Sequence, residues 1–269
     1  IAAGAWPLYF LTDKCGTDKA GRHTKPGTGI LSWRGSVIPC SLVPGMKVVA
    51  TVHPAFVIRS WGWHPIFLED LKRAVKESAY PDIRYPKYES FIDPPSDVLN
   101  ELVGDMCRAD WVSVDIETFP DNTVSCIGFS DRIDRGLCLT FKKTGWKEPA
   151  QEILASPSRK IFQYGTFDTN FLRRFPRLDT HNWAFDTYVA AASLTPEFPR
   201  GLDFLTSIYT DFPYYKTERK VWKQSGDMNI LWEYNVKDCI ATLMIAKAQM
   251  KELNELFGGP VWEEWRTQQ

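Results

Sequence analysis

A β-branched run, Lys47-Val48-Val49-Ala50-Thr51-Val52, predicts a buried strand in the first third of the chain. Ile66 to Ser78 carries Phe67, Leu71 and Val75 at helical spacing with charges between them, the mark of an amphipathic helix. Gly21 to Gly29 is loop-like. From Ala79 to Tyr88 two prolines interrupt a stretch with no helical period, and Asp93-Pro94-Pro95-Ser96-Asp97 then closes a linker and opens a helix over Ser96 to Arg108. Strands are expected at Trp111–Asp115, Thr123–Ser130 and Arg135–Phe141, joined by turns rich in Asp, Asn and Gly, which suggests an antiparallel meander. A short strand at Lys160–Gln163 follows, with helices at about 167–174, 183–194, 201–209 and 228–253. Strands first, then helices around one more strand, make a mixed α/β layout, and the linker divides the chain into residues 1–90 and 91–269.

The chain has 269 residues, 44% hydrophobic and 24% charged. That composition is globular and excludes a wholly disordered, collagenous or coiled-coil chain. No apolar run approaches the ~18–20 residues of a membrane span, so no membrane partner is expected. No basic region precedes an apolar one at the start, and the opening residue is Ile1, which suggests a processed product or a piece of something longer. Six cysteines (Cys15, Cys40, Cys107, Cys126, Cys138, Cys239) form no C-x-x-C, which argues against a zinc ribbon or an iron–sulfur cluster and favours thiols in a reducing cytoplasm.

Charge adds an asymmetry. The net charge is −1, yet residues 1–90 hold 12 Lys and Arg against 7 Asp and Glu, and residues 91–269 hold 20 against 26. A basic first part could lie along a phosphate backbone. An acidic second part could do so only if its carboxylates held cations.

Three acidic signals stand in that second part. Asp115 and Glu117 are i and i+2 at the end of an apolar strand, so they project from one face. Two adjacent carboxylates repel each other, which is unfavourable without a cation, although a strand end running into a polar turn also explains a lone D-x-E. Asp168 follows a strand, Gly165 and a turn, near the start of a helix, where capping is a sufficient reason for an Asp. Tyr234 and Asp238 are i and i+4 on an inward helical face; an inward Asp needs a metal or a partner, and Tyr234 could be that partner. Together, four carboxylates and a tyrosine suit a hydrolase with two hard divalent cations, Mg²⁺ or Mn²⁺, which activate a water and stabilise the leaving oxygen of a phosphodiester.

Residues ~96–255 resemble the DEDD superfamily of 3′–5′ exonucleases, in the subclass with tyrosine in the last motif, and especially the proofreading exonuclease domain of family A DNA polymerases. The carriers are Asp115-Ile116-Glu117-Thr118, Phe167-Asp168, Phe185-Asp186-Thr187 with Ala190-Ala191, Gly201-Leu202-Asp203-Phe204-Leu205, and Tyr234-x-x-x-Asp238. The resemblance implies a ribonuclease H-like fold. It implies that Asp115, Glu117 and Asp238 bind one metal, that Asp115 and Asp168 place a second, and that Tyr234 orients the attacking water. Thr118 would lie near the 3′-terminal hydroxyl. The family often has Asn four residues before the second-motif Asp, where this chain has Tyr164. Phe119 and Tyr164 could stack on a frayed terminal base or be core aromatics.

Residues ~1–80 resemble the C-terminal half of family 4 and related phage-type uracil-DNA glycosylases. The carriers are Gly29-Ile30-Leu31-Ser32-Trp33-Arg34-Gly35, the strand leading into His53-Pro54-Ala55-Phe56-Val57, and the Asp70-Leu71-x-Arg73-Ala74 helix. The resemblance implies a partial α/β glycosylase-like domain in which His53 contacts a flipped uracil and Phe56 and Val57 wedge into a duplex. The half that would carry the water-activating motif is absent, so a DNA-docking surface or a folding scaffold is expected rather than glycosylase activity. The expected function is metal-dependent 3′–5′ hydrolysis of single-stranded DNA ends. The setting is the cytoplasm of a bacterium or phage-infected host, with a polymerase region after the Gly258-Gly259-Pro260 passage or on another polypeptide. The alternatives are a ribonuclease D-like exoribonuclease and a non-catalytic nucleic-acid-binding module.

Overall fold

A computed structural model describes residues 1–12, 14, 29–119 and 121–259. The expected loop at 21–28, Cys15, His23 and the segment from Pro260 onward lie outside them. The chain divides into two compact units, residues 1–86 with 203–215, and residues 87–202 with 216–269.

In the first unit, β1 (Ala2–Ala3) pairs in parallel with β3 (Lys47–Thr51), and β2 (Val37–Pro39) pairs with β3 in antiparallel fashion. Helices α1 (Ala5–Thr12), α2 (Ile30–Trp33), α3 (Pro54–Arg59) and α4 (His64–Ser78) accompany this small sheet. Its core gathers Ala2, Leu8, Ile38, Val48 and Ala50. The β-branched run is the central strand, buried as its apolar continuity requires.

The second unit is built on a six-stranded mixed sheet. In chain order its strands are β4 (Glu89–Ile92), β5 (Trp111–Thr118), β6 (Val124–Arg132), β7 (Arg135–Thr140), β8 (Arg159–Phe162) and β9 (Trp183–Asp186). They stand side by side as β4-β7-β6-β5-β8-β9, with the expected β5-β6-β7 meander at the centre and parallel pairs outside it. Helix α5 spans Ser96–Arg108, α6 Lys147–Ala155, α7 Thr166–Arg174 and α8 Thr187–Leu194. The chain then returns to the first unit through most of α9 (Leu202–Tyr209), and comes back for α10 (Thr217–Ser225) and the long α11 (Met228–Phe257).

Alternation along β5 separates two faces. Val112, Val114 and Ile116 join the main core with Leu102 and Met106 of α5, Ile153 and Leu154 of α6, and Leu172 of α7. The opposite face carries Ser113, Asp115 and Glu117 toward α11, where the Ser113 hydroxyl donates to the Cys239 carbonyl at 2.7 Å. Helix α11 lies close on the sheet because two positions lack a side chain. A Cβ on Gly128 would collide with Asn235 Oδ1 and sit 2.6 Å from Cys239 Sγ, and one on Gly136 would sit 2.7 Å from Val236.

Several expectations need correction. The helix expected over 183–194 begins as a strand. Trp183–Asp186 pairs in parallel with β8, and the Asp186 carboxylate then caps α8 by accepting from the Tyr188 and Val189 amides. Four residues from Glu89 form a strand on β7, a pairing between segments far apart in sequence. Helices α6 and α10 had not been expected. The segment 203–215, assigned by sequence to residues 91–269, packs with the first unit. Among the described residues Cys40, Cys107, Cys126, Cys138 and Cys239 form no disulfide. No described helix is long and apolar enough to cross a membrane.

Candidate metal centre

Asp115 and Glu117 project from the same face of β5, and α11 brings Asp238 to them. One carboxylate oxygen from each of the three lies within 4.8 Å of the others. Asp168, in the first turn of α7, is buried and accepts from the Ile116 amide at 3.0 Å, which ties it to the strand residue between Asp115 and Glu117. Tyr234 is buried one turn before Asp238. The five residues expected to act together therefore come from three elements onto the end of one strand.

The electrostatics are those of too many carboxylates in too little water. Burial, then the facing Asp238, Asp168 and Glu117, push the Asp115 carboxyl well above its ordinary range. Burial pushes Glu117 up to about 7 despite the opposing Arg219 guanidinium. Burial pushes Asp168 up to about 8 against the downward pull of the Ile116 amide. The Tyr234 hydroxyl is held well above its ordinary range by burial and the carboxylates around it, so it stays protonated at neutral pH.

Other residues complete the site, and sequence reasoning missed them. Lys216 Nζ donates to both Asp238 oxygens at 2.8 and 2.7 Å and to the Tyr234 hydroxyl at 2.5 Å. Arg219 of α10 reaches Glu117 Oε2 at 3.4 Å. Asn235 Nδ2 donates to Asp115 Oδ2 at 2.8 Å and to its carbonyl at 3.2 Å, which fixes that side chain. The available signal was the spacing of Lys216, Arg219 and Lys223, which repeats a basic residue on one helical face.

The donor set consists of carboxylate oxygens, with an oxygen-bearing tyrosine beside it. Its four carboxylates outnumber the two cations, Lys216 and Arg219, that reach them. Both properties fit a hard divalent cation such as Mg²⁺ or Mn²⁺.

The expected substrate contacts are more scattered. Thr118 ends β5 after a register shift, and Phe119 follows in a turn closed by its amide on the Thr123 carbonyl at 2.8 Å; both are half-buried. Tyr164 is 53% exposed, so it is not a core residue, and its φ of 61° is left-handed. Asp186 holds it there by accepting from the amides of Tyr164 at 3.1 Å and Gly165 at 2.8 Å, and the Tyr164 ring tilts against Tyr188 at 5.1 Å. His53 belongs to the first unit, where its Nδ1 accepts from the Ala55 amide at 3.1 Å and caps α3. That cap accounts for the residue without a ligand.

The 3′–5′ exonuclease family matches residues 94–254. No curated protein matches the chain by sequence. Among solved structures, Escherichia coli RNase D, an exoribonuclease involved in structured RNA processing, superposes with a TM-score of 0.52 at 19% identity, over 67% of this chain and 49% of that one. The catalytic core of RRP6 from Trypanosoma brucei gives 0.51 at 16% identity, over 62% and 49%. The Nibbler EXO domain of Aedes aegypti gives 0.51 at 14% identity, over 65% and 98%. The chain thus spans about half the length of the first two structures. At these identities the likeness is one of fold. The family match begins after the first 86 residues, and none of these comparisons supports the expected glycosylase likeness there.

Proposed function

The chain belongs to the 3′–5′ exonuclease family, and from that premise we propose that it hydrolyses single-stranded DNA from the 3′ end at the centre formed by Asp115, Glu117, Asp168 and Asp238. The observation that carries this reading is the gathering of three carboxylates within 4.8 Å, beside a buried tyrosine, on a fold of this family.

The four carboxylates would hold Mg²⁺ or Mn²⁺, which when bound lowers the pKa of a water and stabilises the charge on the leaving oxygen. Asn235 keeps Asp115 in place for that ligation. Tyr234, protonated throughout the neutral range, offers a hydroxyl that orients the attacking water by hydrogen bonding and does not serve as its base. Thr118, which follows Glu117 directly, would lie near the 3′-terminal hydroxyl, and Phe119 would stack on the terminal base. Tyr164 presents an exposed ring one turn before Asp168 and would stack on a frayed base.

DNA is favoured by the glycosylase-like motifs of the first unit, which we read as a docking module for DNA. A polymerase region, on this or another polypeptide, would then supply the ends to be trimmed. The second reading is an exoribonuclease, and the fold of the three solved structures named above supports it. Matched 5′-labelled single strands of DNA and RNA, incubated with Mg²⁺ or Mn²⁺, separate the two. Faster shortening of the DNA strand from its 3′ end, abolished by EDTA and by Asp115→Ala or Asp238→Ala, is the expected result. Faster shortening of the RNA strand establishes the second reading. No shortening of either strand by folded, metal-supplied protein overturns both and leaves a binding module.

A further inference from the structure

Helix α10 has two differently committed sides. On one, Glu218 is held by Lys237 of α11 at 2.5 and 2.7 Å, and Trp222 is buried. These contacts seat the helix on α11. On the other, Lys216 just before the first turn, Arg219 and Lys223 follow one another at three- and four-residue spacing, which is one helical face. Lys216 already touches Asp238, and Arg219 already touches Glu117. Arg219 nevertheless remains 44% exposed, and Lys223 is exposed as well.

We propose that this face of α10 is the rail along which the substrate strand enters, with Lys216 and Arg219 meeting the phosphodiester to be cut and Lys223 meeting the next one along. The proposal rests on the exonuclease reading and specifies its substrate as a strand of several nucleotides rather than a dinucleotide. Charge supports it. The carboxylates that Lys216 and Arg219 now neutralise are the same ones that would ligate divalent cations. Ligation takes over those oxygens, and the two side chains, tethered to a seated helix, are then left beside an entering polyanion. A row of cations beside a cleft is the ordinary means of tracking a nucleic-acid backbone. From Lys216 to Lys223 the row extends roughly 10 Å at ~1.5 Å per residue, enough to meet more than the scissile phosphate. The arrangement reads phosphates and not bases, so it serves DNA or RNA alike.

The test uses the full chain and the variants Arg219→Ala and Lys223→Ala, with Arg219→Lys and Lys223→Arg as charge-conserving partners. Binding of a fluorescent single-stranded oligonucleotide with phosphorothioate linkages is followed by anisotropy in Ca²⁺ across a salt series, and cleavage of the unmodified oligonucleotide and of a dinucleotide is followed with Mn²⁺. Each alanine variant should flatten the slope of log Kobs against log salt by about 0.7, the contribution of one neutralised phosphate on a single strand. For Lys223→Ala the KM for the oligonucleotide should rise roughly 10-fold and the preference for oligonucleotide over dinucleotide should shrink, whereas Arg219→Ala, at the phosphodiester to be cut, should lower kcat/KM on both substrates. The charge-conserving variants should restore each of these. Unchanged salt slopes in both alanine variants overturn the proposal. So does a loss in Lys223→Ala that is equal on oligonucleotide and dinucleotide, which would indicate damage to the fold. Tighter strand binding by the alanine variants also overturns it, because the cations would then be a plug. Failure of the exonuclease reading is recognised separately, as a wild-type chain that shortens neither substrate whatever its salt slope.

Discussion

Asp70 in the first unit is as deeply buried as any carboxylate of the second, yet the two settings differ in what surrounds the charge. Arg34 and Asp70 are each 1% exposed, and Arg34 Nε donates to both Asp70 oxygens at 3.1 and 3.0 Å. The Thr51 hydroxyl adds a third donor at 2.8 Å, and Arg34 passes its Nη1 to Ser207 at 2.7 Å. There, one buried negative charge meets one positive charge and enough donors to saturate both. Around Asp115, the carboxylates of Glu117, Asp168 and Asp238 face one another, and their cations come from a single short stretch, Lys216 to Lys223. Burial then raises Asp115, Glu117 and Asp168 instead of leaving them comfortably ionised. A buried charge balanced inside the protein is architecture; a buried excess of one sign is a place for something from outside.

The sharpest way to break this contrast is to remove a carboxylate from each setting. Asp115→Ala and Asp238→Ala should each cost on the order of 10³-fold or more in cleavage rate, the loss of several kcal/mol of charge stabilisation, while leaving the thermal midpoint unchanged or raised. Gel-based kinetics and circular-dichroism melting check both halves. In the first unit Asp70→Ala should destabilise by ~3–5 kcal/mol in urea unfolding, because Arg34 is left buried and uncompensated. Replacing both partners with apolar residues (Arg34→Met with Asp70→Leu) should recover most of that loss. A mild Asp70→Ala would mean the pair is not the structural element its geometry implies.

Next in size is the response to pH and metal. Glu117 and Asp168 titrate near 7 and 8 in the folded chain and near 4 when unfolded, so between those values the folded state binds more protons than the unfolded one. Stability without metal should therefore fall as pH rises from about 4 to about 8. Mg²⁺ or Mn²⁺ at ~100 times its Kd should return about 2.7 kcal/mol near pH 8 and far less near pH 5, where the ligands keep their protons. Differential scanning fluorimetry in EDTA and in metal, at both pH values, measures this. An equal metal effect at both values would count against the carboxylates as ligands.

The smallest effect separates two glycines. Gly128→Ala and Gly136→Ala should each cost ~1–3 kcal/mol by pushing α11 off the sheet. Gly128→Ala should also lower cleavage more, because it displaces Asn235 and through it Asp115. Equal activity losses in the two variants would remove the role given to Asn235.

Much of the second unit was legible because its signals are local. Asp115 and Glu117 share a face by the two-residue period of a strand, and Tyr234 and Asp238 by the four-residue reach of a helix. Helix α5 was expected over the span it occupies, because a proline pair precedes it and its apolar positions repeat. What escaped depends on contacts between distant residues. Lys216 lies 22 residues from Asp238, and nothing near it in sequence indicates that its ammonium turns inward. Strand β9 is four residues long and pairs along one side only, so its short pattern merged with the helix that follows. Helix α10 buries a single large residue, Trp222, among charges, too little for an apolar stripe. Tyr164 was seen as a departure from the family, but its left-handed backbone and the grip of Asp186 were not visible in its neighbours.

The return of residues 203–215 to the first unit bears on how the chain is made. Arg34 and Arg73 of that unit bond to Ser207 and the Ile208 carbonyl, and Ser36 bonds to the Tyr214 amide. A ribosome that has released residues 1–86 has therefore released an unfinished body, whose last pieces are encoded after all six strands of the second unit's sheet. Vectorial synthesis usually lets the first domain fold first. Here the N-terminal unit is completed late, and a gene cut at residue 86 would leave the first fragment without residues 203–215, which the second fragment would carry away from their unit.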